Sequence, residues 1–340
     1  MILCPARAAG SVSFLISVFG GGYILCSANS KKSRTPAVSI GLPVFNGETY
    51  LSQALDSLLG QTFPDFELII SDNASTDGTE QICREYQGKD PRIIYHRQSE
   101  NKGAAANYNY VFQVSRARYF KWAAADDLCG PEMLEQCVTI LDSHPDIVLC
   151  YPKTSIIDER GHVIRAYDDQ WKLSSPEPTE RFCSLLRQLQ ECNAVFGLIR
   201  SDVLARTPLI GNYIHSDSCL LVELSLHGRF HELPERSFYR REHPEASSVD
   251  RSIDKQLEFF DPALLNKIVL QQWRRLWESL RSVWRVPIAL QSRIALSGQL
   301  ALFLVRRRRM FLKELVYAGR KLVRRTFLGV APAGKERVER

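Results

Sequence analysis

The chain has 340 residues, 45% of them hydrophobic and 24% charged, so it can bury a core of real size without disulfides or a structural metal. Its net charge of +6 hides two regions: residues 267–340 hold 18 Lys and Arg against 4 Glu, a balance of +14, and the rest holds 26 basic against 34 acidic residues, a balance of −8. The nine cysteines are odd in number and none sits in a C-x-x-C pair, which excludes a disulfide framework and favours a reducing, cytoplasmic setting.

Residues 1–36 read as a leader and linker, disordered or weakly apolar. The apolar run from Val12 to Cys26 is broken by Gly20, Gly21 and Gly22. It has the rough outline of a signal peptide and is short for a spanning helix. Order is expected from Val38–Val44, a short apolar strand. The spacing of Tyr50, Leu51, Ala54, Leu55, Leu58 and Leu59 predicts a helix. Phe66–Ile70 is a second strand, and a helix over about 79–86 follows, with Asp77 as its cap. Arg92–Tyr95 predicts a third strand, 107–115 a helix and Tyr119–Trp122 a fourth strand. Beyond this point the pattern is less regular. Strands are expected at Ile147–Tyr151 and Phe230–Tyr239, and helices near Thr179–Leu189 and Cys219–Leu226. Strands alternating with helices through short loops predict right-handed crossovers and a mostly parallel sheet.

Ligands of such sheets lie at the carboxyl ends of the strands. Four polar clusters fall there. Ala124-Ala125-Asp126-Asp127 follows the fourth strand. Two adjacent carboxylates raise each other's cost of ionisation unless a cation intervenes. The alternative is a helix cap before Pro131. Asp72 to Thr79 follows the second strand and could hydrogen-bond a base or ribose, or form an Asx turn and cap. Pro43 to Glu48 follows the first strand, where Asn46 and Glu48 could face a ligand or merely turn the chain. Asn101 to Asn107 follows the third strand. Its small residues admit close backbone approach, and the helix N-terminus attracts phosphate; simple close packing explains it as well. No dinucleotide glycine fingerprint, P-loop or G-x-S-x-G elbow is present, which argues against nicotinamide, ATPase and hydrolase chemistry.

In this order and spacing, Val38–Glu48, Ile69–Thr79, Asn101–Asn107 and Ala124–Asp127 resemble the family 2 glycosyltransferases. The resemblance covers residues 37–250. It implies a GT-A type α/β fold, with a mixed, mostly parallel sheet flanked by helices. It also implies inverting transfer of a sugar from a nucleotide-diphosphate sugar to a hydroxyl acceptor, a glycan or lipid-linked glycan, in cell-surface polysaccharide or glycoconjugate synthesis. Residues 37–127 would be the nucleotide-binding half and 128–250 the acceptor half. Pro43, Asn46 and Glu48 would line the nucleotide pocket, with Asn101, Gly103 and Asp126. Asp72 would contact the base, and Ser75 and Asp77 would shape its loop. Asp126 and Asp127 match the aspartate-rich motif that holds Mn2+ or Mg2+. Ala124 stands where the fuller motif has its first aspartate, which removes one contact. Asp217 is the candidate base for the acceptor hydroxyl, or a cap for the following helix. Arg240, Arg241 and His243, with Ser247 beyond, would offset charge on the leaving diphosphate, or one arginine would serve a surface salt bridge.

A non-catalytic nucleotide-sugar-binding protein and a nucleotidyltransferase are the competing readings. The second would carry a basic glycine-rich loop, and Gly41–Glu48 has no Lys or Arg. Residues 251–340 form a basic amphipathic helical extension. Leu312, Leu315, Val316, Gly319, Leu322 and Val323 share one helical face, suited to lying on an anionic membrane at its inner surface. A span over Val286–Val305 is penalised by Arg293. Trp273, Trp277 and Trp284 have helical spacing that predicts a packed face rather than a stacking platform, so nucleic acid is not an expected partner.

Overall fold

A computed structural model describes residues 35–169, 171, 173–244, 246 and 268–328. The expected leader over residues 1–34 and Ser247 lie outside the described residues.

The first half follows the expected alternation. Strand β1 (Val38–Val44) is buried throughout and pairs in parallel with β2 (Phe66–Asp72) and β4 (Tyr119–Trp122), and β2 pairs in parallel with β3 (Ile93–Arg97). Helices α1 (Leu51–Leu59), α2 (Thr79–Lys89) and α3 (Ala104–Gln113) make the crossovers. Helix α3 begins earlier than its apolar spacing predicts, because Gly103 has φ +81° and turns the chain directly into it. The short strand β5 (Leu128–Cys129) and helix α4 (Met133–Ser143) come next and were not among the expected elements. Met133, Leu134, Cys137, Val138 and Leu141 of α4 lie on one helical stripe and are buried.

The second half completes one sheet of mixed direction. It contains β6 (Ile147–Ile157), β7 (Val163–Tyr167), β8 (Leu198–Arg200) and β9 (Arg229–Arg241), with helices α5 (Pro178–Gln188), α6 (Ser201–Leu204) and α7 (Ser216–His227). The strand order is β3-β2-β1-β4-β8-β6-β9-β5, and β7 pairs off this path with Thr154–Ile157 of β6. Strand β8 runs antiparallel to both β4 and β6, whereas β6 and β9 are parallel. Hydrophobic clusters cover both faces of the sheet. One contains Trp122, Phe120, Phe182 and Leu221, and the other Leu42, Leu55, Leu68 and Met133.

Three helices follow: α8 (Gln271–Arg285), α9 (Leu290–Arg306) and α10 (Arg308–Leu328). Helix α8 packs on α7, α9 on α5 and α8, and α10 on α8. A buried polar joint fixes the first contact. Glu223 of α7 is 1% exposed and accepts from Ser282 Oγ at 2.6 Å and from Arg285. Glu314 of α10 caps α8, accepting from the N–H groups of Gln272 at 3.0 Å and Trp273 at 3.3 Å. The tryptophans depart from expectation. Trp273 packs edge-on against Phe311, but Trp277 and Trp284 are 56% and 51% exposed. The face that α8 buries consists of Glu278, Ser279, Ser282 and Val283, chosen by the polar joint with Glu223 rather than by aromatic bulk. No helix among the described residues is long and apolar enough to cross a membrane.

Candidate active site

Parallel pairing brings the carboxyl ends of β1, β2, β3 and β4 to one edge, so the loops that follow them meet. The loop after β1 is tied to the loop after β2 by reciprocal bonds. Asn46, in the left-handed region at φ 51°, donates its N–H to Ser75 Oγ at 2.9 Å and accepts at Oδ1 from Thr76 N at 2.8 Å. The short Asn side chain tolerates that backbone conformation. Gly47 N donates to Thr79 Oγ1 at 2.9 Å, and Glu48 N donates to Asp77 Oδ2 at 3.1 Å. A Cβ on Gly47 would lie 2.7 Å from Val44 Cγ2 and 3.3 Å from Ala125 Cβ, so only glycine lets this loop pass beside the aspartate loop. Asp77 also accepts from Thr79 N at 3.1 Å. Burial opposes ionisation of its carboxyl, but these hydrogen bonds outweigh it and hold the group below its ordinary value. Pro43 is buried in β1, opposite Ser71.

Asp72 is fully buried. Its Oδ1 accepts from Ser75 N at 2.8 Å, and its Oδ2 accepts from Tyr95 Oη at 2.8 Å and Arg97 Nη1 at 3.0 Å. The carboxylate expected to meet a base therefore organises the loop from within. Arg97 also donates to Ser75 O, at 3.1 Å through Nη2. Asn101 Oδ1 accepts from Asn73 Nδ2 at 2.8 Å and from Gly103 N at 2.9 Å, which locks the loop after β3 to the loop after β2. Phe45, beside these loops, is 47% exposed at the end of β1.

Asp126 and Asp127 follow β4. Asp127 is buried, and burial together with the adjacent Asp126 carboxylate pushes its carboxyl well above the ordinary value. The N–H of Arg241, the Arg240 guanidinium and the Lys121 ammonium act in the opposite direction. Lys121 is fully buried in β4 and donates to the carbonyls of Phe196 and Trp122, the latter at 3.2 Å. Asp126 is more open, and its Oδ2 lies 3.0 Å from His243 Nε2.

The strand β9 reaches this loop because β5 pairs antiparallel with it, Leu128 opposite Tyr239. Arg241 is 1% exposed. Its guanidinium donates to the carbonyls of Asp126, Asp158 and Glu159 and to Gln53 Oε1, and stacks 4.6 Å from the Tyr50 ring. Arg241 thus holds the aspartate loop in place and faces no open space where a diphosphate would lie. The His243 ring also meets Tyr50, tilted by 52° with centroids 4.8 Å apart. Arg240 bonds Glu191 Oε2 at 2.8 Å, Asn193 Oδ1 at 3.2 Å and Glu242 Oε1 at 3.2 Å, so it is committed to an ion-pair network.

Asp217 sits in the first turn of α7, whose preceding residue His215 has φ 69°. Its Oδ1 accepts from Ser218 N at 2.7 Å. Burial raises the Tyr108 hydroxyl, and the charges of Asp126, Asp127 and Asp217 all add to that rise. The charges of three carboxylates from separate segments thus act on one buried hydroxyl. Tyr50, Gln53, Tyr95, Arg97, Tyr108 and Lys121 were missed from the sequence. Their positions depend on strand pairing and helix packing, and no local spacing marks them.

Comparison with known proteins agrees with this architecture. Residues 39–207 match the family described as Glycosyl transferase family 2. An uncharacterized glycosyltransferase of Methanocaldococcus jannaschii is 33% identical over 134 residues, 39% of this chain and 46% of that protein. Chondroitin synthase of Escherichia coli is 31% identical over 131 residues, 38% of this chain and 19% of that protein. The chain spans less than half the length of the curated relatives it matches. The structure of S. aureus TarS in complex with UDP superposes with a TM-score of 0.57 at 17% identity, covering 78% of this chain and 70% of that one. At that identity the likeness carries the fold alone, and it is the GT-A fold expected from the sequence. Residues 39–207 are a glycosyl transferase family 2 domain.

Proposed function

We propose that the chain transfers a sugar from a nucleotide-diphosphate sugar to a hydroxyl acceptor, with inversion at the anomeric carbon, in the synthesis of a cell-surface polysaccharide or glycoconjugate. The observation that carries this reading is the convergence of Asp126, Asp127 and His243 beside the edge where the loops after β1, β2 and β3 interlock. The named role of the E. coli relative supports the polysaccharide part.

The loops after β1 and β2 would bind the nucleotide through Asn46, Glu48, Ser75 and Asp77, with the exposed Phe45 ring as a stacking surface for the base. Asp72 supports that surface through Tyr95 and Arg97 rather than by touching the base.

A divalent cation fits the residues present. One carboxyl is pushed up by burial and then by its neighbour, and a carboxylate and an imidazole lie 3.0 Å apart at Asp126 and His243. Among the described residues no three His, Cys, Asp or Glu groups form a complete metal site, so donor phosphate oxygens would complete the set. Bound there, Mn2+ or Mg2+ supplies Lewis-acid stabilisation of the departing diphosphate. Asp126 and His243 would hold the ion, Asp127 would stay enclosed against Arg241, and Arg241 would position the loop. Asp217 would accept the proton of the acceptor hydroxyl as its oxygen attacks the anomeric carbon from the face opposite the leaving group.

The test is a thermal-shift screen against UDP-, GDP-, dTDP- and CMP-sugars with and without Mn2+, followed by a transfer assay with the donor that stabilises most. Asp126→Ala should abolish both donor hydrolysis and transfer. Unchanged turnover by that variant would remove the assignment. Retained nucleotide-sugar binding without hydrolysis or transfer by the parent chain would favour the non-catalytic binder.

A further inference from the structure

Twelve large apolar side chains from Trp277 to Val323 are exposed, against four in the rest of the described chain. They are not scattered. On α10, Leu312, Leu315, Val316 and Val323 recur at helical intervals of three, four and seven and form one stripe. On α9, Leu290, Ile294 and Val305 form an outward stripe, opposite the buried Leu296 and Leu300. The charges around these stripes have one sign. Helix α10 contains a single acid, Glu314, and that carboxylate is turned inward to cap α8. Arg308, Arg309, Lys313 and Arg320 are exposed on the same helix.

A cleft of about 300 Å³ lies between α5 and α9. Cys183, Leu186, Leu302 and Phe303 give it apolar walls, and Arg187, Arg306 and Arg307 line it with no carboxylate among its residues. All three arginines are exposed. An apolar cleft with three guanidinium groups fits an amphiphile whose head is a phosphate. It shares no residue with the aspartate cluster.

We propose that helices α8–α10 seat this protein on an anionic phospholipid bilayer, with the α10 stripe entering the lipid and the α5–α9 cleft taking a headgroup phosphate on Arg187, Arg306 and Arg307. Aliphatic side chains ringed by cations match the boundary between acyl chains and anionic headgroups. A nucleic acid would use the cations and leave the leucines and valines without a partner. A second copy of the chain would bring the same uncompensated positive charge against itself. The proposed contact is that of helices lying on the bilayer surface. The proposal is independent of the chemistry at Asp126.

Full-length protein should sediment with mixed phosphatidylglycerol–phosphatidylcholine vesicles and not with phosphatidylcholine alone, and added salt should release it. Replacing Arg187, Arg306 and Arg307 together by Gln should lower the vesicle partition coefficient on the order of 100-fold, about fivefold for each charge. Leu312→Ser with Val316→Ser should weaken binding on the order of 10-fold while the charges remain. Both variants change exposed side chains, and an unchanged melting temperature checks that they fold. Equal binding to both vesicle types would overturn the proposal, as would wild-type binding by the arginine variant. Light scattering that shows a dimer lost on Leu312→Ser, with no vesicle binding by the parent, would overturn it in favour of a self-interface.

Discussion

The backbone N–H of Arg241 donates to Asp127 Oδ1 at 2.9 Å across 114 positions of sequence. The same residue sends its guanidinium to the Asp126 carbonyl at 2.9 Å, so one strand end grips the aspartate loop from two sides. Removing the side chain takes a donor from three carbonyls and from Gln53 and leaves a void where a fully buried guanidinium lay. Arg241→Ala should destabilise the fold by about 3 kcal/mol. Urea unfolding checks this. Arg241→Lys should recover little of the loss, because an ammonium cannot reach four acceptors in the plane of a guanidinium. Asp126→Ala, at a partly open side chain, should change stability far less than Arg241→Ala.

Asp217 tests the division between binding and transfer. Asp217→Asn keeps the size of the side chain and its acceptor for Ser218 N, and removes the base. Donor affinity by calorimetry should stay within a factor of about 2, and the transfer rate should fall about 10²–10⁴-fold. A parallel loss of donor affinity would assign Asp217 to donor binding instead.

Phe45 offers a base-stacking surface at the end of β1. Phe45→Ala should weaken nucleotide binding about 10-fold with no change in melting temperature, since the ring is half exposed and supports little packing. Titration with the free nucleoside diphosphate measures it.

Asp169 sets a pH dependence of stability. Burial, with help from Glu232, Asp168 and Glu191, raises its carboxyl to about 7, although a hydrogen bond from Tyr167 works the other way. Its Oδ1 is buried without a partner among the described residues. The folded state then binds a proton that the unfolded state has released above about pH 4, so the group's contribution falls as pH rises to about 7 and stays low beyond. Asp169→Asn should be more stable than the parent by about 2 kcal/mol at pH 8 and equal to it near pH 3. Denaturant unfolding at several pH values gives the difference.

Much of the first half is legible in the chain because its pieces are local. Val38–Val44 and Phe66–Ile70 are continuous apolar runs, as strands buried on both faces must be. Each is followed within a few residues by its polar loop, so the loops necessarily collect at one edge. Helix α4 carries an equally regular stripe soon after the aspartates. Strand β5 has two residues and carries no periodicity to read.

Tertiary pairing decided the rest. Asp72 looks like a ligand contact in sequence, but Tyr95 and Arg97 of the neighbouring strand enclose it. Arg241 looks like a phosphate ligand, but pairing of β5 with β9 draws it under the aspartate loop. Trp277 and Trp284 have the spacing of a packed face, yet the Glu223 joint turns that face outward. The sequence by itself determined the first four strands, the loops at their ends and the family they belong to, because those depend on short-range pattern. Which side of a helix is buried, and which of two neighbouring charges faces open space, depended on partners distant in the chain, and only the folded structure brings those partners into contact.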